Sequence, residues 1–195
     1  MSDPESDRRE RVLATALAIF ARYGYRKTSM EDVARAADIS RPGLYFLFTS
    51  KENLFRAAVT RALDQDVAAA KRSLDDAGRP LRDRLIEAFD RWTGRYIGPI
   101  ARDAAVLMET NPEVLGRVVV DYPQRFAAMV TEAIAADTSS GSGDVARTML
   151  SAVSGIKHDA ATREEFLERV TVAVDLLLTA LRESRPGDVR PGRRR

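Results

Sequence analysis

The chain of 195 residues contains no cysteine and a single histidine, His158. Without cysteine, disulfides, thiolate metal sites and cysteine nucleophiles are all excluded. One histidine argues against a histidine-rich metal site and against a Ser-His-Asp triad of the usual kind. We therefore expect no catalytic site, no metal site and no cofactor, and a protein that is not an enzyme.

The chain also lacks a long hydrophobic run. Its most apolar stretch, residues 170–181, is interrupted by Asp175 and is too short to cross a bilayer. The first seven residues are acidic and polar, whereas a secretory signal begins with positive charge. We expect a cytoplasmic protein without a membrane partner.

Charge is distributed unevenly along the chain, although the net charge is only +2. The segment from Arg8 to Arg56 holds ten Lys or Arg residues and five Asp or Glu residues, while Ala57 to Ser184 holds sixteen and twenty. A locally basic segment is what a polyanionic partner requires. The alternative is that these charges are ordinary solvated faces of helices.

Apolar residues recur at helical spacing through most of the chain, and no strand alternation is visible. Breaks at Gly98-Pro99, Asn111-Pro112, Pro123 and residues 137–143 separate the helices of the body. These helices are predicted over 81–97, 100–109, 113–120, 123–137, 144–157 and 163–183.

The pattern predicts an all-α protein with an N-terminal three-helix helix-turn-helix DNA-binding domain over residues 8–54. A helical ligand-binding and dimerisation domain is expected over residues 55–184. Residues 1–7 and 185–195 are predicted to be disordered tails, the second because of its Pro, Gly and Arg content.

The first helix of the helix-turn-helix has two possible starts. Thr28 with Glu31 and Ser29 with Asp32 both fit a capping box, in which the two side chains satisfy backbone N–H groups at the helix start. The sequence leaves the boundary open by one residue. This helix is expected to brace against the DNA backbone.

A tight turn leads into the second helix, which is expected to lie in the major groove. Such a turn often needs a residue with positive φ, and Asp38 tolerates that geometry better than most residues. Ile39 is expected to fill the space between the helices. Ser40 is the predicted N-cap, and Pro42 is tolerated in a first helical turn.

Three motifs follow one another over about 45 residues without a gap: A-x-x-x-F-x-x-x-G-Y, V-A-x-x-A and S-x-x-x-L-Y-x-x-F-x-x-K-E. On these motifs, the run from Arg11 to Leu54 resembles the DNA-binding domain of TetR-type transcriptional regulators. The resemblance implies a regulator, more often a repressor, that binds a palindromic operator as a homodimer. Two positions depart from the family pattern: Asp38 stands where Gly is usual, and Gly43 where a larger or hydroxylated residue is common.

The predicted DNA contacts follow from position and from the resemblance. Arg41 begins the recognition helix, and its guanidinium can pair with guanine O6 and N7. Tyr45 and Lys51 are expected to anchor phosphates, and Phe46 to meet a thymine methyl group. Alternatively, Tyr45 and Phe46 are core residues and Arg41 is a solvated charge. The predicted set is Thr28, Ser29, Ser40, Arg41, Pro42, Gly43, Tyr45, Phe46 and Lys51.

A symmetric operator requires a symmetric dimer, so a dimer interface is expected in the body. The last two predicted helices carry the broadest apolar stripes, and in similar regulators these helices form a four-helix bundle. The predicted interface residues are Met149, Val153, Val170, Val174, Leu177 and Leu181.

The middle helices carry large aromatic and methionine side chains, which can line an adaptable apolar pocket. Residue by residue, an ordinary core is the better explanation, and the pocket is expected mainly from the resemblance. The predicted ligand-binding residues are Phe89, Trp92, Tyr96, Met108, Phe126 and Met129. The partner implied is a small, largely apolar effector.

Release by an effector requires that it bind the DNA-incompetent arrangement better. Shifting the balance from 1:99 to 99:1 takes about 5.5 kcal/mol of differential affinity. The fourth helix is the predicted lever, because it begins at the DNA-binding head and ends in the body. The alternative is a helix-turn-helix protein without a small-molecule ligand, controlled by a protein partner.

Overall fold

The computed structural model describes residues 4–97, 111–137 and 142–183. All regular structure in these ranges is helical, which confirms the predicted all-α fold. The predicted helix over 100–109, the candidate ligand residue Met108 and the tail 185–195 lie outside the described residues. None of the described helices is long and apolar enough to cross a membrane. The elements are α1 (Pro4–Tyr23), α2 (Met30–Ala36), α3 (Arg41–Leu47), α4 (Lys51–Asp75), α5 (Leu81–Trp92), a 3₁₀ turn (Gly94–Tyr96), α6 (Pro112–Leu115), α7 (Val118–Asp137), α8 (Ser142–Asp159) and α9 (Arg163–Glu183).

Helix α1 begins earlier than the sequence pattern indicated. It starts at Pro4, so the prediction of a disordered tail over residues 1–7 is wrong for residues 4–7. Glu5 and Asp7 lie in the first turn, where negative charge interacts favourably with the helix dipole. Further along, Val12 and Leu13 are buried and hold the helix against the head, which supports the turns before them.

The expected helix break at Pro123 is absent. Helix α7 runs through Pro123, and the chain instead breaks at Gly116, whose φ is 58°. That conformation lies in the left-handed region, which glycine enters without a Cβ penalty. Pro123 lies only five residues after the start of α7, so its missing N–H removes one hydrogen bond near the N-terminal end of this helix.

Helix α5 ends at Trp92, although the pattern predicted a helix to residue 97. The 3₁₀ turn that follows packs closely on α9. A Cβ built on Gly94 would clash with the Asp90 carboxylate and would lie 3.2 Å from the ring of Phe166. A side chain at this position would therefore require the Asp90 carboxylate and the Phe166 ring to move, whereas glycine permits the close approach.

Two hydrophobic clusters form the interior, and α4 contributes to both. The head core comprises buried residues of α1–α3 and of α4 as far as Val67, together with Leu115 and Tyr122. The body core comprises the far end of α4 and residues of α5, α7, α8 and α9. Trp92 and Met129 contact both clusters. Packing thus continues across the predicted domain boundary at residue 54, and α4 joins the head to the body.

Candidate nucleic-acid interface

A complete capping box at Ser29 begins α2. The Ser29 hydroxyl accepts a hydrogen bond from the Asp32 backbone N–H at 3.1 Å, and the Asp32 carboxylate accepts one from the Ser29 N–H at 2.9 Å. The Ser29 hydroxyl also donates to that carboxylate, at 2.6 Å. These hydrogen bonds from Ser29 lower the pKa of Asp32. Of the two starts that the sequence left open, the structure uses Ser29 with Asp32.

Thr28 is part of the interior of the head. Its side chain is buried and its hydroxyl donates to the carbonyl oxygen of Gly24 at 2.9 Å. Because the Thr28 and Ser29 hydroxyl groups both donate within the protein, a phosphate contact through them does not match this geometry.

The turn between α2 and α3 depends on Asp38, whose φ is 52°. Among the described residues it is the only non-glycine with positive φ, as the sequence predicted for this position. The N–H of Ile39 donates to the carbonyl of Ala34 at 3.0 Å and closes the C-terminal end of α2. Ile39 is partly buried against the head core. Asp38 therefore adopts the positive φ that this turn requires, at the position where the pattern it resembles usually has glycine.

Helix α3 presents a polar and aromatic face to solvent. Ser40 caps it by accepting a hydrogen bond from the Gly43 N–H at 3.2 Å. Leu44 and Phe48 are buried, whereas Tyr45 is 42% exposed and Phe46 is 81% exposed. The exposed face consists of Arg41, Pro42, Tyr45 and Phe46. The alternative that Tyr45 and Phe46 are core residues is therefore wrong.

Lys51 connects the start of α4 to the link between α1 and α2. Its ammonium group donates to the carbonyl oxygens of Tyr25 and Thr28, both at 3.1 Å, and lies 4.5 Å from the centre of the Tyr25 ring. An ammonium group has three N–H donors, and two are used here. The described residues therefore account for two of its three donors.

Arg9 joins the N-terminal turns of α1 to α3. Its guanidinium donates to the Leu47 carbonyl at 3.1 Å and lies 4.4 Å from the centre of the Phe48 ring. Arg9 is not among the interface residues predicted from sequence, because the residues just before it were expected to form a disordered tail. The excess of basic charge from Arg8 onward was the available signal.

The body contains a cavity of about 650 Å³. Of the predicted ligand-binding residues, Phe89, Trp92, Tyr96 and Phe126 line it, whereas Met129 packs between the two cores instead. Trp92 stacks on Phe126 with 5.0 Å between ring centres, and Phe89 meets Phe126 edge-on at 5.5 Å. The lining that the sequence did not predict is Leu63, Thr93, Pro112, Leu115, Val118, Val119, Tyr122, Pro123, Ala127, Leu150, Val153, Ser154 and Lys157.

A buried carboxylate on α4 accepts a hydrogen bond from a tyrosine that lines the cavity. Asp66 has no exposed surface, and it accepts hydrogen bonds from the Tyr96 hydroxyl and the Arg95 guanidinium. Burial raises the pKa of Asp66, and the two hydrogen-bond donors oppose that effect. Burial and the bond to Asp66 also raise the pKa of Tyr96. The Tyr96 proton therefore remains in place to link the cavity wall to α4.

The helix-turn-helix matches a known family. Residues 12–58 match the family model of the bacterial regulatory proteins of the tetR family. The helix-turn-helix segment of the chain therefore belongs to this family. This confirms the resemblance seen in the sequence.

Named relatives of this protein include both a repressor and an activator. The chain is 34% identical to the transcriptional activator FasR of Mycolicibacterium smegmatis over 124 residues, covering 60% of this chain and 54% of FasR. It is 33% identical to the transcriptional repressor ComR of Escherichia coli K12 over 81 residues, covering 42% of this chain and 39% of ComR. The chain thus spans about half, or less, of the curated relatives it matches. Both are named as transcriptional regulators.

Solved structures resemble this protein over nearly its whole length. GusR of Salmonella enterica matches with a TM-score of 0.69 and 23% identity, covering 93% of this chain and 98% of that chain. A TetR-like transcriptional regulator from Rhodococcus sp. RHA1 matches with a TM-score of 0.67 and 22% identity, covering 91% and 99%. At these identities the likeness shows a shared fold.

The dimer residues predicted from the sequence lie mostly in the core of the single chain. Five are buried within the single chain, namely Met149, Val153, Val170, Val174 and Leu181, and Leu177 is partly buried. These apolar stripes of α8 and α9 face the body of the same chain, which already covers the five buried side chains. On the other side of α9, Val172 is 58% exposed and Leu176 is 66% exposed.

Proposed function

We propose that this protein is a transcriptional repressor that binds a palindromic operator as a homodimer and is released by a small, largely apolar effector. This role would place it in the cytoplasm. The observation that carries the DNA-binding part is the exposed face of α3. Arg41, Tyr45 and Phe46 project from a short helix whose opposite side is buried in the head.

The chemistry of this face suits a major groove. The Arg41 guanidinium lies 5.8 Å from the centre of the Tyr45 ring and remains exposed. Arginine reads guanine through two parallel hydrogen bonds, and an apolar side chain can contact the thymine methyl group. Phe46 leaves most of its ring in water, so contact with a base would remove apolar surface that the free protein exposes.

The cavity supports an effector-binding role for the body. Its volume of about 650 Å³ lies within the range of about 300–1,000 Å³ for small-molecule sites. The stacked pair Trp92 and Phe126 offers aromatic surface, and most of the other lining residues are aliphatic. A compact molecule with an aromatic or aliphatic body matches this lining best.

Two links between the cavity wall and α4 suggest how an effector acts on the head. The Tyr96 hydroxyl donates a hydrogen bond to Asp66 in the middle of α4. Near the start of α4, the Arg56 guanidinium donates to the Val114 carbonyl of α6 at 2.9 Å. Leu115, next to Val114, lines the cavity. A ligand that displaces either wall would shift α4 and, through Lys51, the position of the head.

The exposed side of α8 and α9 is the surface we assign to a second copy of the chain. Val172 and Leu176 lie one turn apart on α9. Alongside, α8 exposes the small residues Thr148, Ser151 and Gly155, which allow another helix to approach closely. A two-fold axis through this surface would pair α8 and α9 with the same helices of the second copy.

Selection from a random pool of duplex DNA by the purified protein tests operator binding. We expect an inverted repeat, because a two-fold dimer presents two copies of α3. Arg41→Ala should relax the preference at one base pair in each half-site and weaken binding by about 5- to 150-fold. The control Arg72→Ala removes the same charge from an exposed position on α4 and should select the wild-type sequence. Failure to enrich any sequence at low salt, with and without candidate effectors, would contradict the proposal.

Trp92 offers a direct measurement of effector binding, because it is the only tryptophan in the chain and lines the cavity. A binding compound should change the tryptophan emission, and at a concentration of 100 times Kd it should stabilise the protein by about 2.7 kcal/mol. Ala127→Phe should abolish both responses by filling the cavity, whereas Ala128→Phe, at the next and exposed position, should preserve them. A broad apolar panel that changes neither quantity would favour control by a protein partner.

A further inference from the structure

Gly43 contributes no side chain to the surface of the recognition helix α3, and Arg8 of α1 lies next to this position. A Cβ built on Gly43 would lie 3.0 Å from the Ser40 hydroxyl oxygen and 3.4 Å from a guanidinium nitrogen of Arg8. Gly43 borders the exposed face of α3, between Pro42 and the first buried position, Leu44. The space beside the missing side chain is therefore next to the Arg8 guanidinium.

Arg8 reaches this place because α1 begins at Pro4. The matched family region starts only at residue 12, so Arg8 lies in turns of α1 that precede it. These turns are held along α3 by Arg9, through the carbonyl of Leu47 and the ring of Phe48. The contacts of Arg9 with α3 and the continuous helix α1 therefore fix the location of Arg8.

The charge of Arg8 is not neutralised within the described part of the protein. Arg8 is exposed, and no described carboxylate lies within ion-pair distance of it. Glu10, two residues further on, is paired with Arg61 of α4 instead. Arg41, also exposed and without an ion pair among the described residues, stands at the start of the same recognition helix. A polyanion lying along α3 would meet both cations.

We propose that Arg8 makes an additional DNA contact, supplying from α1 the side chain that Gly43 does not supply from α3. The inference rests on the proposed operator binding and extends the interface beyond the helix-turn-helix. The ligand is a DNA phosphate or a base edge at the border of the α3 footprint. Gly43 keeps that position open for the guanidinium.

The test measures affinity for the selected operator over a range of salt concentrations with the full-length protein. Arg8→Ala is expected to weaken binding by about 5- to 150-fold if Arg8 binds a base. If Arg8 binds a phosphate, the salt slope should fall in magnitude by about 0.9 for each phosphate that is no longer neutralised. Arg8→Lys separates the two cases, because lysine retains the charge but not the paired donors. Arg72→Ala is the matched control for the removal of one positive charge.

A double-mutant cycle examines the link to Gly43. Gly43→Ala should weaken binding more in the wild-type protein than in Arg8→Ala, with a difference of about threefold or more between the two backgrounds. Thermal melting of each variant verifies that the fold is intact. If wild type selects an operator but Arg8→Ala behaves as Arg72→Ala does, the Arg8 contact is refuted while operator binding stands. If wild type binds no DNA, the proposed function itself fails.

Discussion

Replacing Leu176 by Arg is expected to leave the protein monomeric and to lower its operator affinity by about 10²- to 10⁴-fold. Of the large aliphatic side chains on α9, Leu176 is the most exposed, and Val172 lies one turn before it. A buried guanidinium at a two-fold axis would also face its own copy, so like-charge repulsion would replace apolar packing in the dimer. Two linked heads bind about 10²–10⁴ more tightly than one, and the monomer forfeits that advantage. Sedimentation equilibrium and operator titration measure the two effects.

Val120→Arg is the control for this substitution. Val120 is 49% exposed on α7, a helix that is not part of the surface assigned to the dimer. The variant introduces the same charged group at another exposed apolar position and should remain dimeric with unchanged operator affinity. A Leu176→Arg protein that sediments as a dimer and binds DNA normally would contradict the assigned interface.

Phe55→Ala is expected to lower the free energy of unfolding by about 3–5 kcal/mol. Phe55 is fully buried where α4 meets the head. Its ring lies 5.1 Å from that of Phe20 in an edge-on arrangement and 4.8 Å from that of Tyr25. Truncation removes the ring from this cluster and leaves a cavity that rigid helices cannot close. Urea denaturation followed by circular dichroism measures the change.

The matched control is Phe46→Ala, which makes the same chemical change on the exposed face of α3. Phe46 is 81% exposed, so the free energy of unfolding should change by less than about 0.5 kcal/mol. Operator affinity should nevertheless fall, because Phe46 lies in the proposed interface. Equal destabilisation by the two substitutions would mean that burial does not distinguish these phenylalanines.

Phe55 also bears on the proposed response to an effector. The ring couples α4 to the head, while Asp66, three turns later, couples α4 to the cavity wall. A helix held at both points can transmit a displacement between them. Phe55→Ala removes the contact of α4 with the head. It should therefore weaken the effect of a ligand on DNA binding, besides lowering stability.

The helix-turn-helix could be predicted from sequence because short-range interactions specify it. Ser29 reaches Asp32 three residues away, and Ser40 reaches Gly43 at the same spacing. Asp38 meets the need for positive φ within its own backbone. Each of these signals depends on residue type and spacing alone. Leu44 and Phe48 follow from helical periodicity on the same few turns.

The predictions for the body were less accurate because they depend on which helices meet. An apolar stripe shows that one side of a helix is buried, but its partner can be the body of the same chain or a second copy. Val170 and Val174 of α9 were predicted to face a partner, and both are buried in the body core. Whether Pro123 breaks a helix likewise depends on its distance from the start of that helix. The break at Gly116 places this start only five residues before Pro123.

The sequence by itself determined the all-α fold, the capping and turn of the helix-turn-helix, and the family of this N-terminal segment. Residue types a few positions apart carry that information, since caps and turns form within a single stretch of chain. Only the tertiary structure decided that Thr28 is buried, that Asp66 is bound by Tyr96 from the cavity wall, and that Arg8 lies beside Gly43. These pairs are distant along the chain or depend on how a helix is rotated, and only the packing of whole helices sets those relations.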